Sequence, residues 1–249
     1  MSYQVPKWYD WTFKITSFDA GEGGRLRPSC QMKLQQEAGE LQLQQGGINY
    51  QVMVDKGMVF VVTRSASIIH RAPILDEIVR LRTWHRNTKG AQFVRCYQFF
   101  DNNDNLLIES SSAFALVDPV QHRLLRPSVF FKEFGDHHLD ELHTDCPSPE
   151  KLVLPCDLVH LGDRPVRWSD IDYNGHMNNT VYADVACDFV PDSLQNKRIT
   201  AFALSYLKEA NRGDVLSVKG KVENNETVWI CADHERGRCF DARLDFSAE

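Results

Sequence analysis

The predicted elements of this chain come in the same order twice, and this repeat constrains the fold more than any other feature. In the first half, apolar residues within residues 29–45 recur on one face at a 3.6-residue period, which predicts a helix; they are Cys30, Leu34, Ala38 and Leu41. Pro28 before it and Gly46-Gly47 after it are typical of a helix start and a helix end. Runs typical of β-strands follow at residues 58–69, 74–87, 91–100 and 106–117. The first half therefore reads as a helix followed by an antiparallel meander.

The second half repeats this order. A helix is predicted at residues 179–190, and strands are predicted at residues 199–208, 215–222, 227–233 and 239–246. In the last strand the apolar residues alternate with charged ones, so we expect its apolar face to cover a helix; that face carries Phe240, Ala242, Leu244 and Phe246. An alignment of the two halves pairs residues 76–79 with residues 213–216. The sequence identity is weak, but the predicted strands on either side coincide.

A helix laid across a curved antiparallel sheet buries one face of each element, so the expected fold class is α+β. Two such units can pair their sheets edge to edge, which also removes two exposed edges. We expect the first unit at residues 1–135, a crossing linker at 136–157 and the second unit at 158–249. The wider region 118–157 is rich in proline, which is typical of a connection; it carries Pro119, Pro127, Pro147, Pro149 and Pro155. Three histidines there are interpreted as solvated loop residues rather than a metal tract: His137, His138 and His143.

The charge balance and the cysteines exclude several classes of protein. The chain has 34 acidic and 28 basic residues, so it has no general attraction to nucleic acid or to an anionic membrane. Charges interrupt the aromatic residues 1–19, and no apolar run approaches the roughly 20 residues that span a bilayer. The sequence therefore predicts a cytoplasmic protein without a signal peptide or a membrane anchor. The seven cysteines show no Cys-x-x-Cys spacing, so we expect reduced, mostly buried thiols and neither a metal nor a cofactor.

Residues 167–182, with the sequence RWSDIDYNGHMNNTVY, concentrate polar groups where no alternation can bury them. They lead directly into the second predicted helix, whose apolar stripe includes Val181, Val185 and Phe189. A helix N-terminus presents unpaired N–H groups and a partial positive charge, which suit a developing carbonyl oxyanion. A histidine nearby can exchange a proton near neutral pH. The segment therefore predicts a site for acyl transfer to water.

A purely structural interpretation of the same segment stays open. Asn178 or Asn179 then caps the helix, Asp170 and Asp172 shape a turn, and His176 is a half-buried residue with its bonds satisfied. The clustering of all these groups within a dozen positions favours the site.

The run from Trp168 to Tyr182 resembles the signature Trp-Ser-Asp-x-Asp-x-Asn-x-His-x-Asn-Asn-x-x-Tyr of the acyl-acyl carrier protein (acyl-ACP) thioesterases. The Arg82-Thr83-Trp84 stretch after Pro73 is similar to the family's first unit, so the resemblance covers nearly the whole chain. It implies a tandem double hotdog fold, in which each unit is a long helix wrapped by a curved antiparallel sheet. It also implies hydrolysis of the thioester of a fatty acyl-ACP, with release of a free fatty acid.

The resemblance implies that Asp172, Asn174 and His176 are catalytic, together with a glutamate that falls here at Glu209. In plant members of the family a cysteine follows that glutamate, whereas this chain has Ala210, which excludes a thiol nucleophile at that position. We therefore expect a water molecule, deprotonated by Glu209 and His176, to attack the thioester.

The other groups of this predicted mechanism have supporting roles. Asn174 would align the substrate or the water, and Asp172 would hold Asn174 and its loop, although a direct nucleophilic role for Asp172 stays open. Main-chain N–H groups near Asn178 would receive the oxyanion.

The first unit places Leu26 and Gly24 at the positions of His176 and Asn174 when the predicted helix starts are aligned, so it lacks the chemistry. As the resemblance implies, this unit houses the acyl chain, with candidates that include Met32, Val59 and Val61.

The implied partner is acyl carrier protein, which is acidic. Arg25 and Arg27, or Arg164, Arg167 and Arg212, are candidates for its landing patch. No nucleic-acid or membrane partner is predicted, and a homodimer stays open.

Three alternative functions share some of these features. An acyl-CoA thioesterase would use the same water activation on another carrier. A hotdog hydratase or dehydratase also pairs a histidine with a carboxylate, but it needs no Asp-x-Asn before the histidine. A non-catalytic acyl-thioester-binding module would keep the pocket without the reaction, yet it has no need of buried ionisable groups, which are costly to desolvate.

Overall fold

The structure, a computed structural model, describes residues 3–136 and 146–247. The first half runs β1 (Trp8–Lys14), α1 (Pro28–Gln45), α2 (Tyr50–Asp55), β2 (Val59–Ile69), β3 (Ile78–Lys89), β4 (Gln92–Phe100), β5 (Leu106–Asp118), β6 (Arg123–Leu125) and α3 (Pro127–Phe134). The second half runs β7 (Val159–Pro165), α4 (Val181–Asp188), α5 (Asp192–Gln195), β8 (Ile199–Tyr206), β9 (Val215–Glu223), β10 (Thr227–His234) and β11 (Gly237–Phe246). The predicted order of a helix followed by four strands is confirmed in both halves.

The first strand of each half was not predicted. Strand β1 pairs with β3, and β7 pairs with β9, so each strand closes the outer edge of its own unit. The sequence of β1 alternates between more and less exposed positions, which is the period-2 pattern of a half-buried strand. Helix α4 is also shorter than predicted, because the polar residues before Val181 form turns rather than a first helical turn.

The two halves share one continuous sheet. Its strand order in the described chain is β1-β3-β4-β5-β2-β8-β11-β10-β9-β7, with β6 paired to β5. Strands β2 and β8 join the halves as an antiparallel pair, with Ala66 opposite Ala203. The expected edge-to-edge pairing is therefore confirmed, and it covers one edge of each unit.

The last strand packs on the second helix, as predicted. Phe240, Ala242 and Leu244 of β11 have no exposed surface and share a core cluster with Ala183 and Val185 of α4. Burial of side chains of this size stabilises a fold by about 1.5–3 kcal/mol each for the larger ones. This packing fixes α4, and with it the loop that precedes α4.

Main-chain hydrogen bonds confirm the repeat. The N–H of Leu26 donates to Pro73 O, and the N–H of Met177 donates to Ala210 O, both at 2.8 Å. In the same register the carboxylates of Glu77 and Asp214 each accept a hydrogen bond from the main-chain N–H three residues earlier. The two halves therefore build the same backbone frame where a loop meets the start of a strand.

The region predicted as a crossing connection contains regular structure. Strand β6 and helix α3 lie within residues 118–157, and Phe130 and Phe134 of α3 pack into a core cluster with Phe93. The prolines did not prevent this helix, because Pro127 occupies its first turn, where proline is tolerated. The interpretation of His137, His138 and His143 concerns positions outside the described residues.

The predicted thiol state agrees with the fold. All seven cysteines lie within the described residues, where they form no disulfide, and five of them are buried. Within residues 3–136 and 146–247, no helix combines the length and the apolar character needed to cross a membrane.

Candidate active site

The loop of residues 171–177 forms a short closed turn before α4. Ile171 and Met177 form an antiparallel bridge at its base, and the N–H of Asp172 donates to His176 O at 3.0 Å. Gly175 has a φ of 87°, a left-handed conformation that glycine adopts without steric cost. The loop therefore presents Tyr173 and Asn174 at its tip, with Asp172 and His176 on its two sides.

Asp172 fixes the conformation of this loop. Its Oδ1 accepts a hydrogen bond from the main-chain N–H of Asn174 at 2.8 Å, and its Oδ2 lies 3.4 Å from Nδ2 of Asn178. Oδ1 of Asn178 in turn accepts from both the N–H and the hydroxyl of Thr180, at 2.9 and 2.7 Å. These bonds connect the loop to the start of α4.

Asp170 holds the start of the same segment in place through its carboxylate. Its buried carboxylate receives two hydrogen bonds from the guanidinium of Arg164 and one from the N–H of Arg167 at 2.6 Å. The Arg164 hydrogen bonds, opposed in part by burial, hold the pKa of Asp170 below its ordinary value. Arg164 is thus committed within the fold, and its expected role in a landing patch for an acidic partner is not supported.

The main chain places His176 and Glu209 on neighbouring segments. Each immediately precedes one member of the bonded pair Met177 and Ala210, where the loop meets the β8–β9 connection. His176 is half-buried and Glu209 is exposed. Neither the imidazole nor the carboxylate forms a hydrogen bond or an ion pair with any described residue. Both groups are therefore available to a ligand or a water molecule.

The connection that carries Glu209 is held from three directions. Tyr182 of α4 accepts a hydrogen bond at its hydroxyl from the N–H of Ala210, at 3.1 Å. The main-chain oxygen of Glu209 accepts from Nε2 of His234 at 3.0 Å and from Arg236 at 3.2 Å. Burial raises the pKa of Tyr182, so its hydroxyl stays neutral. Tyr182 closes the predicted signature, but the sequence alone did not assign it this role.

The residue that follows Glu209 carries no thiol that could replace water as the nucleophile. Ala210 has no exposed surface. The nearby Cys239 is buried, and burial raises the pKa of its thiol to about 11, so it is protonated at neutral pH. Its Sγ lies 3.1 Å from the main-chain oxygen of Lys208. This thiol therefore packs as a small apolar side chain.

The main-chain N–H groups near Asn178, which are the expected oxyanion donors, differ in whether they are already bonded. The N–H of Asn178 already donates to Asp170 O at 2.8 Å, so it is not available to a substrate. The N–H of Asn179 makes no hydrogen bond to any residue in the described ranges, and Asn179 lies just before Thr180, which caps α4. The hydroxyl of Tyr206 donates to Asn179 O at 2.9 Å and fixes that peptide. Asn179 is the better candidate donor.

Tyr50 is a site residue that the sequence did not indicate. It begins α2 in the first half, and its hydroxyl donates to Oδ1 of Asn174 at 3.3 Å. Its ring also contacts that of Tyr173 edge-on, with centroids 5.2 Å apart. The local sequence of α2 carries no signal for this contact, because the two residues are 124 positions apart in the sequence.

The matching loop of the first half lacks these groups, as expected, but the alignment was one residue out. The N–H of Gly21 donates to Arg25 O as that of Asp172 donates to His176 O. Gly21, Gly23 and Arg25 therefore stand where Asp172, Asn174 and His176 stand. The earlier alignment placed Leu26 at the position of His176 and Gly24 at that of Asn174. It used predicted helix starts, and the turns before the two helices differ in length.

The family follows from comparisons with known proteins. Residues 6–128 match the Acyl-ACP thioesterase N-terminal domain, and residues 160–238 match the Acyl-ACP thioesterase C-terminal domain. The chain belongs to the acyl-ACP thioesterase family. The matched ranges include the loop with Asp172, Asn174 and His176 and the connection with Glu209.

Two curated plant members of the family have low sequence identity to this chain. The chain is 26% identical over 205 residues to a chloroplastic palmitoyl-acyl carrier protein thioesterase of Gossypium hirsutum, which covers 79% of this chain and 49% of that protein. It is 26% identical over 238 residues to the dodecanoyl-[acyl-carrier-protein] hydrolase of Umbellularia californica, covering 90% and 62%. The chain thus spans about half the length of the first of these relatives and less than two thirds of the second.

Solved structures agree in fold. The 12:0-ACP thioesterase of Umbellularia californica superposes with a TM-score of 0.86 at 21% identity, covering 98% of both chains. An acyl-ACP thioesterase of Bacteroides thetaiotaomicron superposes with a TM-score of 0.81 at 18% identity, covering 97% of this chain and 98% of that one. The predicted α+β double hotdog fold is confirmed.

Proposed function

We propose that this chain hydrolyses the thioester of a fatty acyl group carried on acyl carrier protein and releases a free fatty acid. The family and the fold support this function. In this proposal residues 1–135 house the acyl chain, residues 136–157 connect the units, and residues 158–249 carry the chemistry.

The observation that supports the proposal most is the Met177–Ala210 backbone bond, which joins the segment that carries His176 to the segment that carries Glu209. A water molecule held between the imidazole and the carboxylate loses a proton to this pair as its oxygen attacks the thioester carbonyl. The carbon–sulfur bond then breaks, and the leaving thiolate takes the proton back from His176. The products are a carboxylic acid and the thiol of the carrier arm.

Three further residues complete this mechanism. The N–H of Asn179 receives the developing oxyanion at the start of α4, where preorganised donors stabilise charge most effectively. Asn174 aligns the thioester or the water, and Tyr50 holds the Asn174 side chain. Asp172 acts as the orienting group, because both of its carboxylate oxygens already accept hydrogen bonds within the loop.

The test is release of free thiol by the purified chain, measured side by side on acyl-ACP and acyl-CoA of equal chain length. The proposal expects a higher kcat/KM on acyl-ACP. Equal or faster hydrolysis of acyl-CoA would instead support the acyl-CoA thioesterase. Tight binding without thiol release would support the non-catalytic binding module, and hydration of an enoyl thioester would support the hydratase.

A further inference from the structure

The interior of the first half is polar across its middle. Strand register aligns two consecutive rows on one face of its sheet: Thr83, Tyr97, Ser110 and Ser67, and beside them His85, Arg95, Ser112 and Ser65. Seven of these eight side chains are buried, His85 being half-buried. We call these eight residues the polar band. Apolar rows flank it, with Leu81, Phe99, Ile108 and Ile69 on one side and Phe93 and Phe114 on the other.

Helix α1 covers this band with polar residues of its own. Nε2 of Gln31 donates to the hydroxyl of Ser67 at 2.8 Å, and Oε1 of Gln42 accepts from Arg95. Gly39 packs so closely on Arg95 that a methyl group there would lie 3.2 Å from its Nε. Gln35 is buried on the same helix, and its spacing from Gln31 and Gly39 places it on the same face. Amide, hydroxyl and guanidinium groups therefore face each other where α1 meets the band.

Among the described residues, one of these groups lacks a hydrogen-bond partner and another lacks a counter-charge. Nε2 of Gln35 is buried and has no hydrogen-bond partner among the described residues. The guanidinium of Arg95 is buried and bonds only to the neutral groups of Gln42 and Thr83 and to His85, with no carboxylate of the described chain paired to it. Burial lowers the pKa of Arg95 to about 10, so it is a cation at neutral pH. Buried donors without acceptors cost free energy, and such groups are typical of binding sites.

The helix that covers the band also neighbours the candidate active site. Helix α1 contacts α4, and Tyr50, five residues after the end of α1, bonds to Asn174. In the proposed function the acyl chain of a thioester at His176 and Glu209 extends into the first half, and α1 is the element that connects the site with the band.

We propose that the preferred acyl group carries a hydroxyl or keto oxygen on its chain, which accepts a hydrogen bond from Gln35 within the polar band. This inference rests on the proposed function and names its substrate class. A plain methylene chain across the band would leave Nε2 of Gln35 without an acceptor. Sites built to bond a substrate oxygen discriminate strongly against the analogue that lacks it, because their buried polar groups are left unpaired.

The experiment uses four pantetheine thioesters with equal chain length: octanoyl, β-hydroxyoctanoyl, β-ketooctanoyl and ω-hydroxyoctanoyl. Thiol release gives kcat/KM for each, and calorimetric titration of the corresponding non-hydrolysable amides gives Kd. We expect at least one oxygenated chain to exceed octanoyl by about tenfold or more in both measurements. A plain octanoyl chain that binds and reacts as well as all three oxygenated chains would overturn the inference.

The binding measurement separates this inference from the proposed function. If no thioester is hydrolysed but an oxygenated amide binds selectively, the proposed function fails and the inference stands. If octanoyl thioester is hydrolysed without any preference for oxygen, the function stands and the inference fails. Failure of all four amides to bind would contradict both.

A matched pair of variants on α1 locates the effect. Gln35→Leu removes the unpartnered donor at nearly constant side-chain volume. It should lower the preference for the oxygenated chain about tenfold, because the octanoyl chain then binds more tightly and the oxygenated chain more weakly. Gln36→Leu alters an exposed neighbour that bonds to Glu40, and it should leave the preference unchanged. An unchanged preference in Gln35→Leu would show that Gln35 is only a packing residue.

Discussion

The hydroxyl of Tyr50, in the first half of the chain, donates a hydrogen bond to Oδ1 of Asn174 in the loop of the second half, at 3.3 Å. The bond is long for two oxygens, and catalytic bonds often tighten only when substrate is bound. Both halves therefore contribute to one candidate site.

Tyr50→Phe should lower kcat/KM for an acyl thioester about fivefold, since loss of one such bond costs about 1 kcal/mol. The melting temperature should stay the same, because half of the surface of Tyr50 is exposed. Tyr3→Phe, whose ring packs on Phe134 in another cluster, is the control. Unchanged turnover in Tyr50→Phe would remove Tyr50 from the site.

His176→Ala and Glu209→Ala should each lower kcat about a thousandfold, within the range that general acid–base groups contribute. Their unfolding free energies should remain close to wild type, because neither side chain bonds to a described residue. The exposed residues His160 and Glu226 provide controls as His160→Ala and Glu226→Ala. Near wild-type thiol release by either site variant would disprove the assignment of that residue.

Tyr182→Phe should destabilise the protein by about 1–3 kcal/mol, because it leaves the buried N–H of Ala210 without its acceptor. It should also lower kcat, since the segment that carries Glu209 loses one of its three attachments. Urea unfolding and thiol release measure the two effects separately. A variant that is fully stable and fully active would show that this hydrogen bond does not position Glu209.

Asp170→Asn should lower the free energy of unfolding by about 2 kcal/mol at neutral pH, since it weakens the bonds to Arg164. The pKa of Asp170 is lowered in the native state, so its contribution is present above the ordinary value of about 3.9 and disappears as the pH falls through the native pKa. The difference from wild type should therefore shrink below about pH 4. Urea titrations at several pH values test this, with the exposed Asp163→Asn as the control, and a difference independent of pH would refute it.

Alkylation of thiols at neutral pH should leave turnover unchanged. Ala210 offers no nucleophile beside Glu209, and the pKa of Cys239 is raised to about 11 by burial. Cys156 is exposed, so its modification, followed by mass spectrometry, shows that the reagent works. Loss of activity in step with alkylation of any other cysteine would point to a thiol in the reaction.

The elements of the fold were largely readable from local patterns. The helix stop at Gly46-Gly47 and the alternation of Phe240 with its neighbours depend only on residues close in sequence. Part of the buried face of α1 was readable, at Cys30 and Ala38. Its polar part was not, because Gln31 and Gln42 find their partners on remote segments, at Ser67, Pro6 and Arg95. Hydropathy assigns such residues to solvent, whereas distant hydrogen bonds allow them to be buried.

The residues of the candidate site were also only partly readable from local sequence patterns. Asp172, Asn174 and His176 lie within five positions, so their clustering was visible in the sequence. Glu209 was assigned only through the family resemblance, because it lies on a separate connection. The contribution of Tyr50 and the commitment of the Asn178 N–H to Asp170 depend on how separate segments meet, which no single stretch of sequence records.

The backbone frame around the loop is the same in both halves, and it is built from main-chain bonds and one carboxylate, Glu77 or Asp214. Gly21, Gly23 and Arg25 occupy in one copy the places that Asp172, Asn174 and His176 occupy in the other, so side chains of quite different kinds are compatible with that frame. The backbone frame and the side chains that react are thus separable here. These three positions can be substituted to introduce new chemistry without any redesign of the backbone that supports them.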